Sequence, residues 1–285
     1  MKNLSDINVI KSVMGRHGVT FNKGLGQNFL IDPNVCPDMA DNADLDENTC
    51  AVEIGPGVGV LTAELAKRAG KVLSFELDDR LLPVLDETLA EFDNVEIINQ
   101  DILKADLPKI FEEKCKDMDI AVCANLPYYI TSPIVMLFLE NKLPVKSITV
   151  MVQKEAADRL CAEVGSRDGG AVTVAVSYYA HSEELFFVPR ESFLPPPKVN
   201  SAVIKLTLRD KPPVDVPDEE FFFKVVKAAF SQRRKTAENS ISAGLGVPKA
   251  QVAEALEKAG LEKTVRAEKL TMENFADITR ILAEI

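Results

Sequence analysis

The stretch that decides the fold is Val52-Glu53-Ile54-Gly55-Pro56-Gly57-Val58-Gly59, which joins an apolar run to a helical pattern. Glycines let the backbone approach a ligand closely, and a helix N-terminus favours a polar or anionic group. The spacing is Gly-x-Gly-x-Gly, which differs from the Gly-x-Gly-x-x-Gly of dinucleotide-binding folds. Glu53 lies inside the apolar run, where its carboxylate would repel a pyrophosphate. It suits a ligand that carries an ammonium and a sulfonium group.

Strand-like and helix-like segments alternate along the chain from this loop onward. Apolar runs predict strands over residues 51–54, 71–75, 95–98, 120–124 and 147–152. Helical periodicity separates most of them, over residues 60–69, 79–92, 133–141 and 154–164. This order is typical of an α/β fold with a parallel sheet and helices on both faces. Residues 171–179, 184–188 and 201–208 predict further strands without intervening helices, so an antiparallel edge is expected.

The 285 residues divide into two predicted domains. A short helix is expected over residues 5–17, capped by Ser5 or Asp6. Three prolines and four charges make residues 209–217 a linker between domain 1–208 and domain 218–285. Beyond the linker only helical patterns occur, over residues 218–230, 235–243, 248–259 and 272–282. The second domain is therefore expected to be small and all-helical.

The charge distribution matters more than the formal net charge of −11. Overall acidity argues against a nucleic-acid partner. The excess acid is nevertheless confined to residues 32–119, which carry −14, whereas residues 1–31 carry +3 and residues 120–285 are neutral. Basic surfaces are available at Arg233-Arg234-Lys235 and in an N-terminal arm that includes Lys23. These two segments are therefore candidates for RNA contact.

Composition also excludes several classes of protein. No apolar run reaches the roughly 18 residues of a membrane span, and residues 1–10 lack the apolar core of a signal peptide. The expected location is the cytosol. Five scattered cysteines without a Cys-x-x-Cys pair, and only two histidines, argue against a disulfide framework and against a zinc site.

Acidic residues follow the second and third predicted strands. Glu76 ends the second, at the position where a carboxylate reaches ribose hydroxyls in nucleotide-binding folds. Asp101 follows the third strand and can accept a hydrogen bond from an adenine amino group. Because ligands collect at the carboxyl edge of such sheets, the glycine loop, Glu76 and Asp101 together predict a site for an adenosyl cofactor.

A reaction motif, Asn125-Leu126-Pro127-Tyr128-Tyr129, follows the fourth strand. The exocyclic amine of adenine is a poor nucleophile because its lone pair is delocalised into the ring. The Asn125 side-chain oxygen and the carbonyl of Leu126 or Pro127 could accept from the amine and localise that pair. Tyr128 offers a stacking face for a flipped base. Phe193, which opens the proline-rich stretch up to Ser201, could offer a second face.

The chain resembles the ribosomal RNA adenine N6-dimethyltransferases, specifically the bacterial KsgA type, from about residue 5 to its C-terminus. The resemblance rests on four segments in a fixed order: Lys23 to Leu30, Glu53 to Gly59, Asn125 to Tyr128, and Phe193 to Ser201. It implies a Rossmann-like methyltransferase fold that uses S-adenosylmethionine. The implied substrate is a pair of adjacent adenosines near the 3′ end of small-subunit (16S) ribosomal RNA in an assembling subunit. The implied product is N6,N6-dimethyladenosine.

The resemblance also implies roles for individual residues. Asn28 and Leu30 would close over the cofactor, and Gly55, with Gly57 in the same loop, would lie under its methionine part. Glu76 would bind the ribose, Asp101 the adenine, and Asn125 would bridge the cofactor and the target base. The helical domain and the N-terminal arm would hold the ribosomal particle. A monomer without metal is expected.

Four alternatives remain open from the sequence. Large-subunit RNA methyltransferases that confer macrolide resistance share the loop and the Asn-x-Pro-aromatic motif, although the proline-rich stretch and the length of the tail favour the small-subunit type. DNA adenine methyltransferases usually carry an acidic residue where this chain has Asn125. A ribosome-assembly or transcription factor could keep the fold without activity, but would not need Asn125 and Tyr128. An NAD oxidoreductase shares Glu76 but not the loop spacing.

Overall fold

The computed structural model describes residues 4–19 and 28–284. Contacts divide the chain into two compact units. The sheet unit consists of residues 1–157 and 183–208, and the helical unit consists of residues 158–182 and 209–285.

The elements alternate along the chain as strands and helices. The strands are β1 (Phe29–Leu30), β2 (Thr49–Ile54), β3 (Lys71–Phe75), β4 (Val95–Ile98), β5 (Asp119–Asn125), β6 (Val145–Gln153), β7 (Ala180–Val188), β8 (Phe193–Leu194) and β9 (Ser201–Leu208). The helices are α1 (Ile7–Arg16), α2 (Val35–Asp41), α3 (Val60–Ala66), α4 (Leu82–Thr88), α5 (Leu107–Lys114), α6 (Thr131–Glu140), α7 (Lys154–Leu160), α8 (Ala171–Tyr179), α9 (Glu219–Phe230), α10 (Ala237–Leu245), α11 (Lys249–Lys258) and α12 (Met272–Ala283).

Seven strands form one sheet in the order β4-β3-β2-β5-β6-β9-β7. The first five strands in this order run parallel, and β9 lies antiparallel to β6. This arrangement confirms the α/β fold class and the antiparallel edge expected from the sequence. The chain moves from β2 to β3 and β4 on one side, and from β5 to β6 on the other. The point between β2 and β5 is therefore the switch point at which such sheets bind ligands.

Helix α1 is confirmed, with Asp6 as its N-cap: the Asp6 side chain accepts a hydrogen bond from the Asn8 backbone N–H at 2.7 Å. Its apolar residues recur at helical spacing, and Ile10, Val13 and Met14 are buried in one cluster with residues of α4. The helix therefore packs against the rest of the sheet unit through its apolar face.

One predicted strand is wrong: residues 171–179 form helix α8. The run AVTVAVSYY is rich in β-branched and aromatic residues, which favour strands. In the structure Val174 and Tyr178, four positions apart, lie on one helical face and are buried in the same cluster as Phe222 of α9. Tertiary burial against α9 overrides the local preference, because a helix presents both side chains to the same core.

The other helices of the helical unit follow the predicted segments closely, and polar side chains cap the first turns of α9, α10 and α12. Asp218 accepts from the Phe221 N–H, and Thr236 and Thr271 cap α10 and α12 in the same way. Phe222, Val252 and Phe275, from three different helices, are fully buried together. No helix in the described part of the chain is long and apolar enough to cross a membrane.

Candidate active site

A cavity of about 170 Å³ opens in the sheet unit at the carboxyl ends of the central parallel strands. Backbone hydrogen bonds hold these ends together, since Gly55 N–H donates to Phe75 O at 2.9 Å and Glu76 N–H to Ile98 O at 3.0 Å. The cavity is lined by every residue that the sequence analysis assigned to the cofactor or to catalysis: Asn28, Leu30, Gly55, Gly57, Glu76, Asp101, Asn125, Leu126, Pro127, Tyr128 and Phe193.

The glycine loop forms one wall of the cavity. Gly55 and Gly57 have φ angles of +74° and +61°, in the left-handed region that favours glycine. A Cβ built on Gly55 meets nothing within 4 Å, whereas one on Gly57 lies 3.4 Å from the ring of Phe29. The loop therefore leaves open space above Gly55, and a side chain at that position would occupy it.

Glu53 lies under this loop with only 1% of its surface exposed. Its carboxylate accepts hydrogen bonds from Thr62 Oγ1 at 2.7 Å and from Ser74 Oγ at 2.9 Å. Burial raises the pKa of the carboxyl to about 7, because these two neutral donors offset only part of the desolvation. None of the described residues that line the cavity is a lysine, arginine or histidine. The wall is therefore suited to a ligand that supplies its own positive charge.

Glu76 directly follows β3 on the adjoining wall and is almost fully buried. Its Oε1 accepts from the Asp78 backbone N–H at 2.7 Å, which fixes the carboxylate in one orientation. Burial, together with the Asp78 charge, raises the Glu76 pKa, while backbone donors including Gly57 N–H act in the opposite direction. A carboxylate fixed in this way can accept from the paired hydroxyls of a sugar.

Asp101 lines the cavity beyond β4, with 29% of its side chain exposed. Its Oδ1 accepts from the Leu103 N–H at 3.0 Å and so caps the 3-10 turn Ile102–Lys104. Its Oδ2 lies 3.7 Å from the Lys104 ammonium. The Oδ2 atom of Asp101 therefore remains partly open toward the cavity and solvent.

The reaction motif extends from the end of β5, next to the glycine loop. The Leu126 N–H donates to Met151 O at 3.1 Å, which continues the pairing of β5 with β6 beyond Asn125. The Pro127 carbonyl accepts from the Ile130 N–H at 3.1 Å. Within the described part of the chain no donor reaches the Leu126 carbonyl, so this acceptor is available together with the half-buried Asn125 amide.

Two aromatic residues named from the sequence occupy different environments. Tyr128 is partly buried, and its hydroxyl hydrogen-bonds to Ser201 Oγ at 2.7 Å; burial raises its pKa. Phe193 is 2% exposed and belongs to the core beneath the sheet, although it also contributes to the cavity wall. The proline-rich stretch therefore anchors Tyr128 through Ser201 at the start of β9.

A two-stranded pairing brings the N-terminal segment to this cavity. Leu30 in β1 pairs with Phe193 in β8, and the Ile31 N–H donates to Ser192 O at 2.9 Å. Strands of two residues are too short to show a periodic pattern in the sequence. Sequence reasoning also missed Phe29, Leu77 and Tyr129, which line the cavity. Only their positions next to named residues could have suggested them: Phe29 lies between Asn28 and Leu30, Leu77 follows Glu76, and Tyr129 follows Tyr128.

Three of the residues predicted to contact RNA belong to the helical unit. Arg233, Arg234 and Lys235 are exposed between the end of α9 and the start of α10, in the helical unit. Lys23 lies outside the described residues. Across the described ranges, no group of three or more histidine, cysteine, aspartate or glutamate side chains could hold a metal ion.

Comparison with known proteins agrees with this geometry. The family model for ribosomal RNA adenine dimethylase matches residues 18–284. The chain is 48% identical to the ribosomal RNA small subunit methyltransferase A of Bacillus mycoides over 99% of this chain and 98% of that protein. The homologous protein of Bacillus cereus (strain B4264) shows the same identity and coverage.

Two solved structures are also similar. A dimethyladenosine transferase from Plasmodium falciparum superimposes with a TM-score of 0.74 at 25% identity, covering 88% of this chain and 95% of that one. The 23S rRNA methyltransferase ErmE superimposes with a TM-score of 0.69 at 30% identity, covering 90% of this chain and 100% of that one.

The fold and the site thus define a methyltransferase of the Rossmann-like class. The chain belongs to the ribosomal RNA adenine dimethylase family. The family resemblance inferred from the four sequence segments is confirmed.

Proposed function

We propose that this chain transfers methyl groups from S-adenosylmethionine to N6 of two adjacent adenosines near the 3′ end of small-subunit (16S) ribosomal RNA, giving N6,N6-dimethyladenosine. The observation that carries the proposal is the convergence of the glycine loop, Glu76, Asp101 and the Asn125 motif on one cavity. The names of the relatives at 48% identity support the small subunit as the target.

The cavity fits the cofactor by the chemistry of its donors and acceptors. Open space at Gly55 accommodates the methionine part, and the buried Glu53 carboxylate favours the cationic end of the ligand. Glu76 accepts from the ribose hydroxyls and Asp101 from the adenine amino group, while Asn28 and Leu30 cover the ligand. When bound, S-adenosylmethionine supplies an electrophilic methyl group.

Asn125 and Leu126 prepare the nucleophile. The Asn125 side-chain oxygen and the Leu126 carbonyl each accept one hydrogen of the adenine amine, which favours a pyramidal nitrogen with a localised lone pair. We assign the backbone role to Leu126 because the Pro127 carbonyl already accepts from Ile130 N–H. Such preorganised acceptors cost no reorganisation when the amine becomes charged.

Tyr128 and Phe193 hold the target base between them. The hydrogen bond from Tyr128 to Ser201 fixes the phenol ring at the cavity wall, and Pro127 restricts the backbone before it. No strongly tuned general base is needed, since the methylated amine is cationic and loses its proton readily. The monomethyl amine is accepted again when it rotates one substituent away.

Basic surfaces outside the cavity hold the ribosomal particle. Arg233, Arg234 and Lys235, together with Lys23 of the N-terminal arm, contact phosphates, which position RNA without reading its sequence. In this scheme residues 1–208 form the catalytic domain, residues 209–217 the linker, and residues 218–285 the domain that contacts the ribosome, with residues 158–182 packed into the helical unit. The chain acts as a monomer without metal, in the cytosol where subunits assemble.

A transfer assay tests the proposal and separates it from its main alternative. Purified protein is incubated with labelled S-adenosylmethionine and ribosomal particles from cells that lack the modification. We expect label in small-subunit particles and none in large-subunit particles. Label only in large-subunit RNA would favour the alternative, and no label in either would favour a non-catalytic assembly factor.

A further inference from the structure

Tyr129 combines exposure with a position at the active site. Its surface is 62% exposed, the highest value among large hydrophobic side chains in the described ranges, and it also lines the cavity. It shares the 3-10 turn Tyr128–Ile130 with the anchored Tyr128. The turn therefore directs one tyrosine into the wall of the cavity and leaves the other accessible at its mouth.

Other exposed apolar side chains lie at the same edge of the sheet. Leu77, 58% exposed, follows β3, and Leu103, 39% exposed, follows β4. The turn that contains Leu103 packs against α6, which begins two residues after Tyr129. Of these, Leu77 lines the cavity together with Tyr129. Exposed apolar side chains beside a cavity indicate a surface that a ligand covers.

We propose that the Tyr129 ring stacks on the base of the second adenosine while the first occupies the cavity. This inference rests on the function proposed above. Drawing one of two adjacent adenosines into the cavity removes its stacking contact with the other. An exposed aromatic ring at the mouth replaces that contact, and aromatic stacking is the usual way in which proteins hold unstacked RNA bases.

Tyr129 is then a positioning residue for RNA, and it touches neither the reacting amine nor the methyl group. Its contribution appears in binding of the particle and leaves the chemical step unchanged. Stacking of a single base on an aromatic side chain corresponds to a roughly 5- to 140-fold change in affinity. The phenol hydroxyl contributes nothing to stacking, so phenylalanine should replace tyrosine.

The test compares Tyr129→Ala with Tyr129→Phe and with a matched control, Phe187→Ala. Phe187 is an aromatic residue of the same unit, 51% exposed, that does not line the cavity. The measurements are KM and kcat on small-subunit particles, and affinity for S-adenosylhomocysteine by calorimetry. We expect Tyr129→Ala to raise KM for the particle roughly 5- to 140-fold, with kcat and cofactor affinity unchanged.

Tyr129→Phe and Phe187→Ala should both keep the wild-type KM. The inference is overturned if Tyr129→Ala and Phe187→Ala behave alike, or if Tyr129→Phe is as defective as Tyr129→Ala. Wild-type protein that methylates no particle would overturn the proposed function itself. If the wild-type protein is active and Tyr129→Ala keeps the wild-type KM, only the stacking role is overturned.

Discussion

Thr62 donates a hydrogen bond from its hydroxyl to the buried Glu53 carboxylate at 2.7 Å, joining the two elements that flank the glycine loop. Ser74 adds a second neutral donor from the neighbouring strand at 2.9 Å. The Glu76 carboxylate is close enough to raise the Glu53 pKa further, and the buried thiols of Cys36 and Cys123 also lie within its field. Glu53 therefore has neutral donors and one anionic neighbour, Glu76.

Cofactor binding should depend on pH through Glu53. Its pKa of about 7 means that the carboxyl is largely protonated below neutral pH and charged above it. A cationic ligand favours the charged form, so affinity for S-adenosylmethionine should fall as the pH drops below about 7, by at most about tenfold per pH unit. Calorimetry at pH 6, 7 and 8 measures the affinity for S-adenosylmethionine.

Glu53→Gln is the control for the pH dependence, since it keeps an acceptor for Thr62 and Ser74 but cannot ionise. Its affinity should be lower than wild type at pH 8 and nearly constant across the series. A variant with the same pH profile as wild type would show that another group titrates.

Gly55→Ala should lose cofactor affinity because the new methyl group enters the space above the loop. Gly246→Ala is a matched control, since Gly246 has a φ of +70°, ends α10 in the helical unit and also has open space at its Cβ position. Both substitutions should cost about 1–2 kcal/mol of stability from left-handed backbone strain. Calorimetry should find weaker cofactor binding for Gly55→Ala only, and equal losses would contradict the assignment of the loop.

Asn125→Ala should lose most turnover while the fold is retained. Removing one preorganised contact to the transition state costs about 2.7–4 kcal/mol, or 10²–10³ in kcat. Asn141→Ala provides the comparison, because Asn141 is exposed at the end of α6 and its side-chain amide donates to Leu137 O of that helix. Single-turnover methylation of small-subunit particles measures the effect, and a near-normal Asn125→Ala rate would contradict the mechanism.

The basic patch Arg233-Arg234-Lys235 should set affinity for the particle. Changing all three residues to Gln should weaken binding and reduce the slope of log K against log salt by roughly 0.7–0.9 per lost phosphate contact. Cofactor affinity should not change. A control with the same charge loss replaces Lys211, Lys249 and Lys263, three separate exposed lysines of the helical unit. Equal effects of the two triple variants would show only the influence of net charge.

The sequence was sufficient to predict those elements whose own residues carry a clear hydrophobic pattern. Strands β3, β4 and β9 have the predicted bounds, because each is an apolar run that ends at polar or turn residues. The convergence of Glu76, Asp101 and Asn125 on one cavity could also be predicted, since these residues end or follow successive parallel strands whose carboxyl ends meet at one edge.

Features that depend on distant partners could not be predicted. Helix α8 has the composition of a strand and becomes helical because Val174 and Tyr178 are buried with Phe222 of α9. The pairing of Leu30 with Phe193 joins residues that are far apart in the chain and too few for periodicity. The contrast between Tyr128 and Tyr129 depends on which ring the fold buries, and the dipeptide alone does not contain that information.

The most direct test of the central claim is mass spectrometry of small-subunit ribosomal RNA from cells with and without this protein. We predict that two adjacent N6,N6-dimethyladenosines near the 3′ end are present in cells with the protein and absent after its deletion. They should return with a plasmid copy of the wild-type chain but not with Asn125→Ala. Persistence of both dimethyladenosines in the deletion strain would contradict the account.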